Sequence, residues 1–335
     1  MREIIYFLLI NLLVWECTNN GNKSIDKSNK DTLGLIEISQ KIRKNPLNAE
    51  LFNKRAGIYW QLQLTDSAIN DANIALRLDS MNDDYALQLA EYYFKSLKIN
   101  EASAVLQNFL KRKPESLKVL TRIGKYYSYL KDYKKAKEYI DKALTIDPQY
   151  ADAHFIKGVI LTETNQPKEA IKAFMDVIQF NPDDAEAYMM LGLLNQELND
   201  SIALQYYRTV TRMRPNDPQA YYNIGFYYQE NKNYTKALET YNYILRNIDK
   251  KYSNAFFNQG YIYMMYLKDY GKAMAYFDSV MQLEPNRVEA VYNKGYCYES
   301  IHDYTSARSM YIKAKSLVPN YELAVEALNR LDQKK

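Results

Sequence analysis

The pattern of apolar and polar positions along this chain repeats about every 34 residues, and small residues mark the period. Successive members of one series lie 34, 34, 34, 34, 33, 35 and 35 residues apart. This series comprises Ala56, Ala90, Gly124, Gly158, Gly192, Gly225, Gly260 and Gly295. A second series of alanines follows the first by 11 to 13 residues and comprises Ala68, Ala102, Ala136, Ala170, Ala203, Ala237, Ala273 and Ala307. The two series predict a protein built from repeated helix pairs.

Proline marks the end of each pair. Seven of the nine prolines share one position of the period: Pro46, Pro114, Pro148, Pro182, Pro215, Pro285 and Pro319. Proline lacks an amide hydrogen and disfavours helical backbone in the residue before it, so it stops the second helix. The small residues let the two helices approach closely. Because a single hairpin cannot bury its own apolar face, neighbouring hairpins must stack.

A 34-residue helix pair with this pattern resembles the tetratricopeptide repeat. Residues 151–184 carry most of its consensus positions, namely His154, Gly158, Leu161, Ala170, Phe174 and Pro182. Residues 288–321 carry Tyr298, Ala307, Tyr311, Ala314 and Pro319. The resemblance implies an all-α fold, a right-handed superhelical solenoid of about eight helix-turn-helix repeats with helical caps. The predicted units are 49–82, 83–116, 117–150, 151–184, 185–217, 218–252, 253–287 and 288–321, with caps at 33–48 and 322–335.

Two units depart from the pattern. Unit 185–217 is one residue short and has Asn195 where the family prefers an aromatic residue. Unit 218–252 lacks the terminal proline. We expect a local change of superhelical twist at these units and no domain break.

The amino terminus differs from the repeats. An apolar run from Ile4 to Trp15 follows Arg2 and precedes Cys17. As a helix it would span about 18 Å, short of the roughly 30 Å hydrocarbon core of a bilayer. The run resembles a bacterial lipoprotein signal, which implies a signal peptide over 1–17 and lipidation of Cys17, although the family prefers small residues where this chain has Trp15 and Glu16.

The residues after Cys17 read as a solvated tether over 18–32. The expected localisation is therefore the bacterial cell envelope, with attachment to the membrane through the lipid. An uncleaved or differently cleaved signal and a cytoplasmic chain are the alternatives.

Composition offers little support for catalysis. The chain has two histidines, His154 and His302, and two cysteines, Cys17 and Cys297, so it lacks the clusters that bind metals. No phosphate-binding loop and no nucleophile motif is present. The net charge of +4 gives no indication of a nucleic-acid partner. We expect no enzymatic activity, no cofactor, no metal and no small-molecule substrate.

The resemblance also indicates where a partner would bind. In the family the first helix of each unit lines the concave surface, and the fifth and ninth residues of a unit face into it. From the fourth unit onward these residues are all apolar or aromatic: Phe155, Val159, Met189, Leu193, Tyr222, Phe226, Phe257, Tyr261, Tyr292 and Tyr296. Such a stripe is typical of a protein-binding surface. Ordinary packing between helices is the alternative, because tyrosine is common at the fifth position.

The sixth residue of the last three units is asparagine: Asn223, Asn258 and Asn293. A row of amides can pair with the backbone of an extended peptide regardless of its sequence. The sequence therefore predicts a protein-interaction scaffold that binds an extended peptide or a partner helix in the groove of repeats 4–8. A self-assembling structural subunit and an accessory subunit of an envelope enzyme or secretion complex are the alternatives.

Overall fold

The computed structural model describes residues 25–333, with side chains from residue 33, and these residues form 18 helices and no strand. The helices are α1 (Ile25–Lys44), α2 (Ala49–Gln61), α3 (Thr65–Leu78), α4 (Asp83–Lys95), α5 (Ile99–Leu110), α6 (Leu117–Tyr129), α7 (Tyr133–Ile146), α8 (Ala151–Glu163), α9 (Pro167–Phe180), α10 (Ala185–Glu197), α11 (Ala203–Met213), α12 (Pro218–Glu230), α13 (Tyr234–Tyr243), α14 (Ser253–Ile262), α15 (Tyr270–Leu283), α16 (Val288–Ser300), α17 (Tyr304–Leu317) and α18 (Glu322–Asp332). The all-α fold of helix pairs predicted from the sequence is confirmed.

The helices group into two compact units that divide between Leu191 and Gly192. The division falls inside the continuous helix α10 of the short repeat 185–217, where the absence of a domain break stays a prediction. Helix α11 in this repeat has 11 residues, whereas α9 in the preceding repeat has 14. The shorter helix offers almost one turn less of packing surface.

The structure corrects the start of the amino-terminal helix. Helix α1 begins at Ile25, within the segment 18–32 that we expected to be a tether. No glycine or proline interrupts residues 25–33, so a polar helix can form there as an extension of the buried segment that follows. The predicted signal peptide and Cys17 lie outside the described residues. Within the described part, no helix is both long and apolar enough to span a bilayer.

A close contact between a glycine and a large side chain sets the distance between the helices of most pairs. A Cβ atom added to any of these glycines would lie less than 3.0 Å from the facing side chain, closer than atoms can pack. The pairs are Gly124 with Ile140, Gly158 with Phe174, Gly192 with Tyr207, Gly225 with Tyr241, Gly260 with Phe277, and Gly295 with Tyr311. All six large side chains are almost fully buried. The glycine therefore makes room for the ring.

The first two repeats use a different combination at the same positions. Ala56 and Ala90 replace the glycines, and the residues at the facing positions are Ala72 and Leu106. All four side chains are fully buried in one core cluster. In the first repeat the facing residue Ala72 is small and leaves space for the methyl group of Ala56, whereas Leu106 in the second repeat is as large as Ile140 in the third.

Each pair turns through a residue with left-handed backbone. These residues have φ between 55° and 66° and are Gln63, Leu97, Lys131, Asn165, Asn199, Lys232, Lys268 and His302. In most turns the next residue donates its backbone N–H to the carbonyl five residues back, as Lys98 does to Tyr93 at 2.9 Å. This is the Schellman arrangement, which usually employs glycine. The sequence does not predict this arrangement, because none of the eight residues is glycine.

Two π-helical turns accommodate the extra residue of the 35-residue repeats. The first continues α13 over Ile244–Ile248, and the second continues α14 over Tyr263–Leu267. The backbone N–H of Asp249 donates to the Ile244 carbonyl at 2.9 Å, across five residues instead of four. A π turn is how a helix absorbs one inserted residue.

Helix α18 covers the end of the second compact unit. It buries Ala324, Ala327 and Leu331 in a cluster with residues of α16 and α17. Arg330 donates from Nε and Nη2 to the two carboxylate oxygens of Glu299 at 2.9 and 2.7 Å. At the opposite end of the chain, α1 buries Ile38 and Ile42.

The Gly225→Ala variant tests the glycine contact. The added methyl group would lie 2.6 Å from Cε1 of Tyr241, so we expect the free energy of unfolding to fall by about 1–3 kcal/mol. Gly271→Ala is the matched control, because the nearest atom to its Cβ is Oδ1 of Asp269 at 3.7 Å, an ordinary contact. Urea denaturation of the two variants and the unaltered chain should separate them. Equal stabilities would contradict the proposed role of the contact.

Candidate functional site

The structure places the ten predicted groove residues in two environments. Val159, Met189 and Leu193 are buried, with at most 8% of each side chain exposed. The other seven are partly exposed. The predicted apolar stripe is therefore not continuous, because three aliphatic members are used for packing between helices. This corrects the prediction for those three residues.

In the first compact unit, only Phe155 remains partly exposed among the predicted residues. Its ring meets Phe174 edge to face, with ring centroids 5.4 Å apart. One ring is a small target for a partner, so this unit contributes little to the predicted surface.

In the second compact unit, the six predicted aromatic residues are all partly exposed. We call them the aromatic row: Tyr222, Phe226, Phe257, Tyr261, Tyr292 and Tyr296. They lie in pairs four residues apart on α12, α14 and α16, and a spacing of four places both members of a pair on the same helix face. Three successive first helices therefore each present two rings.

The rings at the fifth position are supported from beneath by the second helix of the same repeat. Tyr222 contacts Tyr241, with ring centroids 5.9 Å apart. Phe257 and Tyr292 make equivalent contacts with Phe277 at 5.8 Å and with Tyr311 at 5.4 Å. The supporting rings are the same ones that face the glycines, so the geometry of the hairpin fixes the position of the row.

The rings at the ninth position differ more from repeat to repeat. Phe226 stacks on Tyr222 with ring centroids 6.2 Å apart, and Tyr261 meets Tyr266 edge to face at 6.1 Å. Tyr296 is partly buried and packs against the core cluster that contains Cys297. Burial raises the pKa of the Cys297 thiol to about 12, which agrees with its prediction as a core residue.

A further residue lies beside each ring of the fifth position, one residue before the next first helix begins. Tyr252 lies 5.9 Å from Tyr222, and Tyr321 lies 5.8 Å from Tyr292, measured between ring centroids. At the equivalent place Arg287 covers Phe257, with its guanidinium carbon 4.4 Å from the ring centroid. The pattern of the first helices does not predict these three residues, because they lie just outside those helices. Their recurrence at the end of successive repeats was the available signal.

The structure does not support the predicted asparagine ladder. Asn223, Asn258 and Asn293 are all buried. The side-chain nitrogen of Asn258 donates to the hydroxyl oxygens of Tyr222 and Tyr241 at 3.1 and 3.0 Å, so both amide hydrogens are used inside the protein. Asn223 accepts from the side chain of Gln219 at 2.9 Å. Asn258 thus holds two tyrosines in place, and all three amides are buried and not presented to a peptide.

Buried tyrosine hydroxyls have acceptors on the facing first helix. Tyr207 donates to Gln196 at 2.9 Å, Tyr241 to Gln229 at 3.2 Å, and Tyr311 to Glu299 at 2.8 Å. Burial raises the pKa of all three tyrosines, so they remain protonated donors. Where the ring is Phe277, the core cluster has Met264 instead of a polar acceptor.

No group of histidine, cysteine, aspartate and glutamate in the described part of the chain has the arrangement of a metal site. His154 is buried, and its Nε2 lies 2.8 Å from the carbonyl oxygen of Pro148. His302 is one of the left-handed turn residues. Neither histidine therefore belongs to the aromatic row.

Substitutions of two adjacent buried amides should change the free energy of unfolding in opposite directions. Asn258→Leu removes two hydrogen bonds to tyrosine hydroxyls, so we expect it to lower the free energy of unfolding by about 1–3 kcal/mol. Gln259 is fully buried, and neither polar atom of its side chain has a hydrogen-bond partner among residues 25–333. Gln259→Leu should therefore raise the free energy of unfolding by about 1–3 kcal/mol. Urea denaturation measures both, and changes of the same sign would refute this assignment of the two amides.

Comparisons with known proteins agree on one family. Three sequence profiles described as the tetratricopeptide repeat match residues 130–194, residues 206–239, and residues 253–287 together with 288–321. The matched stretches include the three first helices that carry the aromatic row.

Curated relatives match over parts of their length. Protein O-mannosyl-transferase TMTC1 of Homo sapiens is 26% identical over 148 residues, which are 43% of this chain and 17% of that protein. A TPR repeat-containing protein of Methanocaldococcus jannaschii is 28% identical over 224 residues, 54% of this chain and 39% of that protein. The chain thus spans well under half the length of these two relatives.

A solved structure supports the fold. The C-terminal part of a TPR repeat-containing protein from Cytophaga hutchinsonii superposes with a TM-score of 0.58 at 20% identity. The match covers 72% of this chain and 99% of the other.

Proposed function

The chain is a tetratricopeptide repeat protein, and from this premise we propose that it is an interaction scaffold whose second compact unit binds an extended peptide along the aromatic row. The single observation that carries the proposal is the row itself. Six aromatic residues remain partly exposed at the fifth and ninth positions of three successive first helices.

The chemistry of the row suits a peptide partner. Aromatic residues are enriched at protein interfaces and account for much of the binding energy there, because each ring buries a large area with little loss of side-chain freedom. The three rings at the fifth position are held from beneath by Tyr241, Phe277 and Tyr311, so these rings need little further ordering on binding.

We also propose that the chain acts without catalysing a reaction and that it is anchored to the bacterial envelope through Cys17. The first proposal is supported by a sequence without a catalytic motif and by relatives described by their repeats. The human transferase resembles this chain over only 17% of its own length. The second proposal is supported by the apolar run that precedes Cys17.

Removal of three rings tests the peptide-binding surface. Peptides selected on the immobilised full chain from a phage-displayed library of random 12-residue sequences serve as probes. The triple variant Phe226→Ala, Tyr261→Ala and Tyr296→Ala should weaken their binding at least about 10-fold, because each ring contributes on the order of 1 kcal/mol or more. Calorimetric titration measures the affinity, and circular dichroism checks that the helices are intact.

The matched control replaces Tyr243 and Tyr304 with alanine, two tyrosines of the same compact unit that lie outside the row and are 45% and 40% exposed. It should bind the peptides as the unaltered chain does. Equal affinities of all three proteins would contradict the surface. If light scattering shows self-association that the triple variant loses, the row is covered by a second copy and the chain is a self-assembling subunit.

Metabolic labelling tests the anchor. When the full chain is expressed in a bacterium that is fed a fatty-acid analogue, the unaltered chain should carry the label and Cys17→Ala should not. Cys297→Ala is the control and should keep the label, because that thiol is fully buried. Equal labelling of the unaltered chain and Cys17→Ala, or none in either, would refute lipidation of Cys17.

A further inference from the structure

One cation lies within the aromatic surface of the second compact unit. The guanidinium of Arg287 covers the ring of Phe257, and its positive charge lies close enough to Tyr222 to lower the pKa of that hydroxyl, although burial raises this pKa by more. Only 21% of the Arg287 side chain is exposed. A charge in a partly desolvated environment interacts more strongly with an opposite charge than a fully exposed charge does.

The guanidinium is fixed in orientation by one of its three nitrogens. Nη1 donates to Oγ of Ser253 at 3.2 Å and to Oε2 of Glu284 at 3.2 Å. Nε and Nη2 of this arginine donate to no acceptor among the described residues. These two nitrogens carry parallel N–H groups, which match the two oxygens of a carboxylate.

Arg55 in the first compact unit has the same arrangement, and there a carboxylate is bound. Its guanidinium lies over Phe52 at 5.5 Å, and Nη1 donates to Oγ of Ser39 at 3.3 Å. Its Nε and Nη2 donate to the two oxygens of Asp71. Arg330 grips Glu299 with the same two nitrogens. Twice, therefore, this chain uses the Nε and Nη2 edge of an arginine to bind a carboxylate.

We propose that Arg287 binds the side-chain carboxylate of an aspartate or glutamate in the peptide that occupies the aromatic row, an inference that rests on the proposed function. Glu284 does not fill this role, because it contacts Nη1 and leaves the opposite edge of the guanidinium open. A carboxylate supplied by the peptide completes the arrangement that Asp71 completes for Arg55.

The position of Arg287 in the row favours an internal acidic residue over a peptide C-terminus. Tyr222 and Tyr252 lie in the repeat before Phe257, and Tyr292 and Tyr321 lie in the repeat after it. A peptide that ended at Arg287 would leave one of these pairs uncovered. The ligand class is therefore an extended segment with aromatic or aliphatic residues on both sides of an acidic residue.

Peptides from the random 12-residue library, selected on the full chain and synthesised with amidated C-termini, test the inference. They should share an aspartate or glutamate flanked by apolar residues. Arg287→Gln should weaken their binding roughly 10- to 100-fold, since a charge-assisted bidentate pair is lost. Changing the acidic residue of the peptide to its amide should cost a similar factor on the unaltered chain. The two changes together should cost little more than either one, as expected for direct partners.

Arg287→Lys keeps the charge but not the parallel N–H groups, so its affinity should lie between those of Arg287→Gln and the unaltered chain. Arg246→Gln is the matched control, an exposed arginine of the same compact unit outside the row, and should bind normally. The peptide amide measured on the unaltered chain gives a result even if Arg287→Gln fails to fold.

Three results would overturn the inference. Equal affinity of the selected peptides for the unaltered chain and Arg287→Gln would refute the role of Arg287 and leave the aromatic row in place. Binding that requires a free C-terminal carboxylate would refute the internal acidic residue. If no peptide binds the unaltered chain, the proposed function fails and this inference fails with it.

Discussion

The contact between a glycine and a buried ring sets the geometry on which the rest of this molecule depends. In the pair Gly225 and Tyr241, the absence of a Cβ atom lets the ring approach the backbone of the facing helix. The same tyrosine ring also contacts Tyr222 of the aromatic row. One side chain thus fixes both the separation of two helices and the position of a candidate binding residue. Stability and recognition are tied to the same atoms.

The polar chemistry of the interior follows from that packing. A tyrosine ring that replaces a phenylalanine brings a hydroxyl into a dry place, and a buried hydroxyl requires a partner. Gln196, Gln229 and Glu299 supply acceptors for three such rings, and the Asn258 amide supplies donors to two hydroxyls. The abundance of tyrosine in this chain therefore brings with it a set of buried amides and carboxylates that would otherwise look like functional residues.

This explains which parts of the fold and the site could be predicted from the sequence. The helix pairs could be predicted from small residues and prolines at fixed spacing, because the residue type alone determines the size of a side chain at a helix contact. The burial of Asn223 and Asn258 could not be predicted in the same way, since an amide satisfies an internal hydroxyl as readily as a peptide backbone. The exposure of Phe226 and the burial of Val159 depend on how far neighbouring helices close over them. The orientation of Arg287 depends on contacts with Ser253 and Phe257 of α14 and with Glu284, and no local sequence pattern predicts it.

The π turns have a consequence for how such a chain can change over time. The inserted residue of repeat 218–252 lies after Tyr241, in the π turn Ile244–Ile248. That of repeat 253–287 lies between Gly260 and Phe277, in the π turn Tyr263–Leu267. The glycine and ring pairs of the adjacent repeats keep their register in spite of the insertion. A gene that gains one codon within a repeat therefore need not lose the packing of later repeats. Copies made by duplication can therefore diverge in length as well as in sequence while the repeats continue to stack as one array.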